Sequence, residues 1–350
     1  MRVFKKSVTL IIAACGLFLL ILDARGAVDG AREGVQLCIC TLIPSLFPFF
    51  VISGFFCRVF SETRLTLLNP ILHICKIPAR SESLFIIGML GGYPVGAQSI
   101  ADAYRKGQID SESAKRMLGF CSNAGPAFVF GIIGAYFDPY IPWVILVILI
   151  LSAILTGWML PQTSSGKCDV CRQNKVNFIH IFQNSIRAIA SVCGWVILFR
   201  VLISYLKRWI LWRFPEVVKI ALIGFLELSN GCTALDMIIN DGARFVVSTG
   251  LLSFGGICVY LQTKSISKDL GTGLYFPGKV LQCAWALTIS SVAQYFLFPD
   301  GCRIDLIVMI VPLLLVLIVY LVLRMQNIKK IVAIPQKLMY NKGKVTANER

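Results

Sequence analysis

The sequence predicts an all-α polytopic membrane protein, with about eight transmembrane helices plus two re-entrant or broken segments in a transporter-like inverted repeat. Three observations predict it. Apolar residues make up 57% of the 350 and charged residues only 15%, and mean hydropathy is +0.76; a soluble chain carries about a quarter charged residues. The apolar runs are continuous and about 20 residues long, enough for a helix to cross the hydrocarbon, whereas a barrel strand would alternate. The basic excess, 34 Lys+Arg against 18 Asp+Glu, lies in short segments between the runs. That is the signature of topology and not of a nucleic-acid surface.

Stretches without Asp, Glu, Lys or Arg cover 7–22, 34–57, 83–101, 117–137, 139–166, 245–263, 280–299 and 306–323. Two further runs carry one interior charge each, 188–206 with Arg200 and 220–235 with Glu227. The first run follows the basic Met1–Lys6 and is read as a retained span, because no small-residue cleavage site stands out before Asp23. Residues 23–33 are read as an outward connection. From Arg324 onward, seven Lys/Arg and one Glu mark a basic cytoplasmic tail. If 83–101 and 220–235 enter and leave on the same side, 25 Lys/Arg fall inside and 8 outside; if all ten runs cross, the division is 21 to 12. The eight-crossing arrangement obeys the positive-inside rule better.

The same two segments are the ones least suited to span. Gly88, Gly91, Gly92, Pro94 and Gly96 interrupt the first, and Gly224, Glu227 and Gly231 the second. They also match each other. Ile87-Gly88-x-Leu90 aligns with Ile223-Gly224-x-Leu226, and about 30 residues on, Gly119–Gly125 aligns with Gly250–Gly256. In the eight-crossing arrangement the two copies have opposite orientation, the architecture of many secondary transporters. Unwound backbone at membrane depth is tolerated where protein covers it or where it lines a cavity.

The candidate substrate-binding residues lie at these interruptions. Pro44 and Pro48 flank Ser45 inside an apolar run, where they remove backbone hydrogen bonds; the alternative is a kinked packing helix with Ser45 bonded to its own backbone. Gly91, Gly92, Tyr93, Pro94, Gly96 and Gln98 form a break followed by a helix start, whose free N–H groups are a natural seat for an anion. Ser122, Asn123 and Gly125, before Pro126, predict a second break with a serine or asparagine cap. Glu227, Asn230 and Gly231 place a carboxylate at membrane depth. It either binds a coupling ion, proton or sodium, or pairs with Arg200. Gln262 and Gln294 are weaker polar candidates. A leucine at Gly92 is expected to block a cavity there without unfolding the bundle.

Other chemistry is thinly represented. The thirteen cysteines fall mostly within apolar runs, where they pack as small hydrophobes. Cys168-x-x-Cys171 is a lone pair with only His73 and His180 elsewhere, so no metal site and no cofactor is expected. P-loop, Rossmann, HExxH and GxSxG patterns are absent, so the chain is read as a non-enzyme that meets the lipid bilayer and a small solute and binds no nucleic acid.

The residues Leu42–Phe49 with Pro44-Ser45-Leu46-Phe47-Pro48, Gly91–Ala97, the basic 103–116 loop with Ser122–Pro126, and Glu227–Gly231 resemble the sporulation integral membrane proteins of endospore-forming Firmicutes, the YlbJ/SpoVV family. That family falls in the broader nucleoside recognition or Gate group. The resemblance spans roughly 35–300. It implies two Gate-like repeats, 34–137 and 188–263, between an N-terminal anchor helix (1–33), a linking span and loop (138–187), C-terminal spans (264–323) and the tail (324–350). It also implies a role in sporulation, with dipicolinic acid as the small organic anion moved across the outer forespore membrane. A nucleoside or other small-solute permease and a non-transporting scaffold for spore envelope assembly are the alternatives.

Single cysteines placed near Ser111 in a cysteine-free background are expected to react with impermeant reagent from the cytoplasmic face alone. Labelling only from outside would overturn the eight-crossing arrangement.

Overall fold

The computed structural model describes residues 2–60, 69–78, 81–161, 178–299 and 310–325. Cys168, Cys171 and the tail beyond Met325 lie outside the described residues. The described chain is helical and contains no strand. Among the described residues five helices are long and apolar enough to cross a membrane: 24–56, 141–159, 178–209, 241–266 and 275–297. Three shorter apolar helices, Ala13–Leu22, Pro126–Tyr136 and Ile310–Met325, fall on the other expected crossings.

Helix α1 (Arg2–Leu22) passes directly into α2 (Ala24–Leu37). Asp23 caps α2, its Oδ1 accepting from Gly26 N at 3.0 Å. The segment 23–33, read as a connection, is therefore helix. What stabilises it is a row of small residues: Gly26, Gly30 and Gly34 recur every four positions and give one face a close approach. That face packs on α10 (Phe178–Trp209). A Cβ at Gly30 would sit 2.7 Å from Ser204 Oγ, and one at Gly34 would sit 3.0 Å from Ile197 Cα. Two ion pairs hold the same helices together, Asp23 with Arg208 (3.1 Å) and Glu33 with Arg200 (2.7 Å).

Between α2 and α3 (Ile43–Phe60) the helix widens into one π turn, Cys38–Leu42, in which Ile43 N donates to Cys38 O. The turn ends at Leu42, two residues before Pro44, whose ring would otherwise meet the carbonyl one turn back. The chain thus crosses the Pro44–Pro48 region as one uninterrupted helical rod.

The two segments expected to be broken are broken. The first is α5 (Glu82–Leu90) and α6 (Val95–Arg105), following α4 (Asn69–Ile74). The second is α11 (Glu216–Leu226) and α12 (Leu228–Cys232). Each doubles back. A Cβ on Gly96 would lie 2.9 Å from Gly88 Cα, and a Cβ on Gly231 would collide with Gly224. Residues seven or eight apart in a continuous helix would be separated by about 11–12 Å. A chain that doubles back has the geometry that entry and exit on one side require.

A second kind of break follows in each half. Helix α7 (Ser111–Leu118) gives way to an irregular stretch and restarts as α8 (Pro126–Gly131), ahead of α9 (Ile141–Met159). Helix α13 (Asp241–Phe254) ends at Gly255 and Gly256, with φ of +82° and +83°, and restarts as α14 (Gly256–Ile266). Helices α15 (Tyr275–Leu297) and α16 (Ile310–Met325) complete the described chain. One apolar cluster joins Leu42, Val129, Ile145, Val196, Leu228 and Phe245, and a second joins Phe85, Ile100, Met117, Phe120, Ala153 and Tyr275. Arg116, buried at the end of α7, ties that second cluster to its neighbours. Its guanidinium donates to the carbonyls of Lys76, Gly157 and Leu160.

Gly34→Leu forces a branched side chain against the α10 backbone and is expected to lower stability by about 1–3 kcal/mol. Gly194→Leu, at an α10 position with open space beside its Cα, is the matched control and should leave the thermal unfolding midpoint in membranes nearly unchanged.

Candidate functional site

All four breaks pack pairwise, and always through glycine. In the first half Gly92, at φ +68°, lies against Gly125, so that a Cβ on Gly92 would come 2.9 Å from Gly125 N. In the second half Gly256 abuts the α11–α12 break, where a Cβ would lie 3.0 Å from Gly224 O and 3.3 Å from Leu228 N. The halves meet at Tyr93, whose hydroxyl reaches the Cα of Gly255: a Cβ there would be 2.7 Å from the phenolic oxygen. The expectation for Gly92 needs correction. The position is packed backbone on backbone in a left-handed conformation, so a side chain there breaks the site itself and does not merely fill a cavity.

A pocket opens where these breaks converge. Gly91, Gly92 and Tyr93 line it from the first break, Ala124 and Gly125 from the second, and Glu227, Leu228 and Ser229 from the third. Gln262 and Val259 contribute from α14, Val192 from α10, and Leu46 and Phe50 from α3. The cavity itself is small, about 30 Å³. The walls are mostly apolar with a few polar groups, the composition of a small-molecule site.

Glu227 is 2% exposed and occupies the N-terminus of α12. Its Oε1 accepts from Ser229 N at 3.0 Å, and its Oε2 accepts from both Asn230 N and Asn230 Nδ2 at 2.7 Å. The helix start that would offer N–H groups to a solute is thus already filled by the chain's own carboxylate. The anticipated pairing with Arg200 is indirect. Arg200 Nη1 donates to Asn230 Oδ1 at 2.6 Å while the same guanidinium pairs with Glu33. Asn230 therefore carries Glu227 on its amide nitrogen and Arg200 on its amide oxygen, which orients the amide without ambiguity. Gly231 serves the hairpin contact with Gly224.

The remaining candidates are placed elsewhere. Ser45 Oγ donates to Thr41 O at 2.6 Å, the own-backbone bond of a packing helix, and its Cβ faces Gly131. Pro48 lies inside α3 between the lining residues Leu46 and Phe50. Pro94 is the N-cap of α6, without a side-chain cap, and Gly96 and Gln98 follow in the first turns. Neither Ser122 nor Asn123 caps α8; Gly125 takes that place, with Pro126 in the first turn. Gln294 packs against Gly242 on the far side of α13.

Asn123 instead turns to a residue the sequence reading passed over. Its Oδ1 accepts from Lys279 Nζ at 2.8 Å, and its Nδ2 donates to Phe120 O at 2.8 Å. Lys279, on the second turn of α15, is 1% exposed. It also donates to Gln282 Oε1 at 2.9 Å and stands 5.2 Å from the centre of the Tyr93 ring. Bounding apolar runs by charge put Lys279 just outside the run that starts at Val280. The usable signal was Lys279 and Gln282, three apart, which share a helix face.

Glu227→Gln places an NH₂ donor against the donors of Ser229 and Asn230. It is expected to cost about 1–2 kcal/mol of stability, measured by thermal unfolding. An unchanged midpoint would contradict the capping role.

No family model and no solved structure matches the chain. It is similar to the sporulation integral membrane protein YlbJ of Bacillus subtilis (strain 168), with 30% identity over 135 residues, 37% of this chain and 33% of that protein. The match thus spans about a third of that relative's length. The similarity and the long apolar helices together make this chain a multi-pass integral membrane protein that resembles a sporulation membrane protein.

Proposed function

We propose that the chain is a transporter or facilitator of a small organic anion across a membrane of the sporulating cell, with dipicolinate as the candidate substrate. The observation that carries this is the convergence of three helix breaks on one pocket lined by both halves, with the fourth break packed against the third. Breaks cost backbone hydrogen bonds and persist at membrane depth where protein covers them or a cavity uses them. In each half a doubled-back segment packs on a broken span, and a pocket between two such halves is where exchange of their conformations opens one face and then the other. Glu227, with its oxygens taken by three N–H donors, positions α12 in this scheme and sets one wall of the pocket. The sporulation setting rests on the similarity to the Bacillus subtilis sporulation membrane protein, and dipicolinate on the family resemblance.

Close packing at Gly92–Gly125 equally suits a non-transporting scaffold, so the test separates the two. Proteoliposomes holding the full chain are expected to take up labelled dipicolinate and to exclude uridine. Val192→Phe, which fills the pocket from α10, is expected to lower uptake about tenfold or more while costing about 1–3 kcal/mol of stability, the range for overpacking a buried position. Absence of uptake by the wild type, with a stably folded chain, supports the scaffold.

A further inference from the structure

We propose that Lys279 is the seat of a carboxylate group, a subsite beside the pocket that fixes one end of an organic anion while the pocket holds the remainder. The proposal rests on the reading that the chain handles such anions. It is carried by the arrangement of donors and acceptors around the lysine.

Four groups that favour a cation face the ammonium. Two amide oxygens accept from it, Asn123 Oδ1 at 2.8 Å and Gln282 Oε1 at 2.9 Å. Two aromatic faces lie near it, Tyr93 at 5.2 Å and Tyr275 at 6.0 Å. Such contacts stabilise charge without neutralising it. Among the described residues no carboxylate is within ion-pair distance of Lys279, while Arg200 and Arg244 each have one, in Glu33 and Asp241. A buried charge is costly unless paired. Arg116, also buried, differs in kind: three backbone carbonyls occupy its guanidinium.

The second observation concerns unused donors. Gln282 Nε2 belongs to the amide that already touches Lys279, yet it has no partner. Ser122 Oγ, next to Asn123, has none, and neither does the Tyr93 hydroxyl. Ser122 and Gln282 are fully buried. Native structures leave few such groups without a partner. Gln282 and Tyr93 both adjoin the lysine, Ser122 precedes its partner Asn123 in the chain, and all three can donate. A cation with surplus donors and no acceptor anion matches the chemistry of a carboxylate, which accepts at up to four lone pairs. Tyr93 connects this subsite to the pocket, because it lines the pocket and also turns its ring to Lys279. Glycine at 255 leaves room at its hydroxyl.

The test uses the full chain in nanodiscs, with binding of labelled dipicolinate followed beside benzoate, succinate and uridine, and transport followed in proteoliposomes. Lys279→Met is expected to weaken dipicolinate binding at least about tenfold, as loss of one partner of a buried charge pair does. Gln282→Glu supplies the missing counter-charge from within; it is expected to raise the thermal midpoint and to abolish binding of the carboxylates. It keeps the proposal testable should Lys279→Met fail to fold. Dipicolinate binding by Lys279→Met at wild-type strength, undiminished binding by Gln282→Glu, or failure of all three carboxylates to bind the wild type would overturn the subsite. Lys279-dependent binding without transport retains the subsite and removes the transport reading. Transport of dipicolinate or uridine that ignores Lys279→Met retains a transporter and removes the subsite.

Discussion

A backbone N–H or C=O released from its helix within an apolar segment must find another partner, because lipid offers none. That constraint shapes the centre of this molecule. The breaks at Gly91–Pro94, Gly119–Gly125, Glu227 and Gly255–Gly256 do not lie scattered along separate helices; they pack on one another, two in each half. Glycine is the residue that allows this, since a Cβ at Gly92, Gly256 or Gly96 would run into backbone. The pocket is what remains where the mutual covering is incomplete.

The carboxylate of Glu227 shows how the chain handles charge within that centre. Among the described residues it pairs with no lysine or arginine directly. Three N–H donors hold it at the start of α12, and the Asn230 amide passes the contact on to Arg200 and so to Glu33 on α2. A half-exposed acid is thereby linked to the wall of the pocket through two side chains. The same Arg200 helps to clamp α2 to α10, so the N-terminal helix pair and the second-half break share one polar network. The Lys279 side of Tyr93 is organised differently, with amides and ring faces and no acid.

Much of this was legible. Charge-free windows located the apolar helices, and glycine and proline density located the breaks, because both signals are local. The alignment of Gly88 with Gly224 picks out one member of the glycine pair that touches within each hairpin. Three features escaped. The stretch 23–33 reads as an outward connection because Asp23, Arg25, Asp29, Arg32 and Glu33 interrupt the apolar pattern, although Gly26, Gly30 and Gly34 carry the packing signal. Lys279 was assigned to a loop because a charge was taken to end a span. Ser122 and Asn123 were assigned to a helix cap, while the fold gives that cap to Gly125 and sends Asn123 to the lysine.

The sequence by itself determined that the chain lies in membrane, where its apolar helices run and where they are interrupted, since hydropathy and backbone propensity act over neighbouring residues. Tertiary structure alone decided what each polar side chain at an interruption does. Glu227 caps α12 beneath Asn230, Ser45 bonds Thr41, Asn123 and Gln282 hold Lys279, and Tyr93 stands between the two groups. The physical reason is distance along the chain. Asn123 and Lys279 are separated by 156 residues and Glu33 and Arg200 by 167, and such contacts depend on how whole helices pack, which no local pattern encodes.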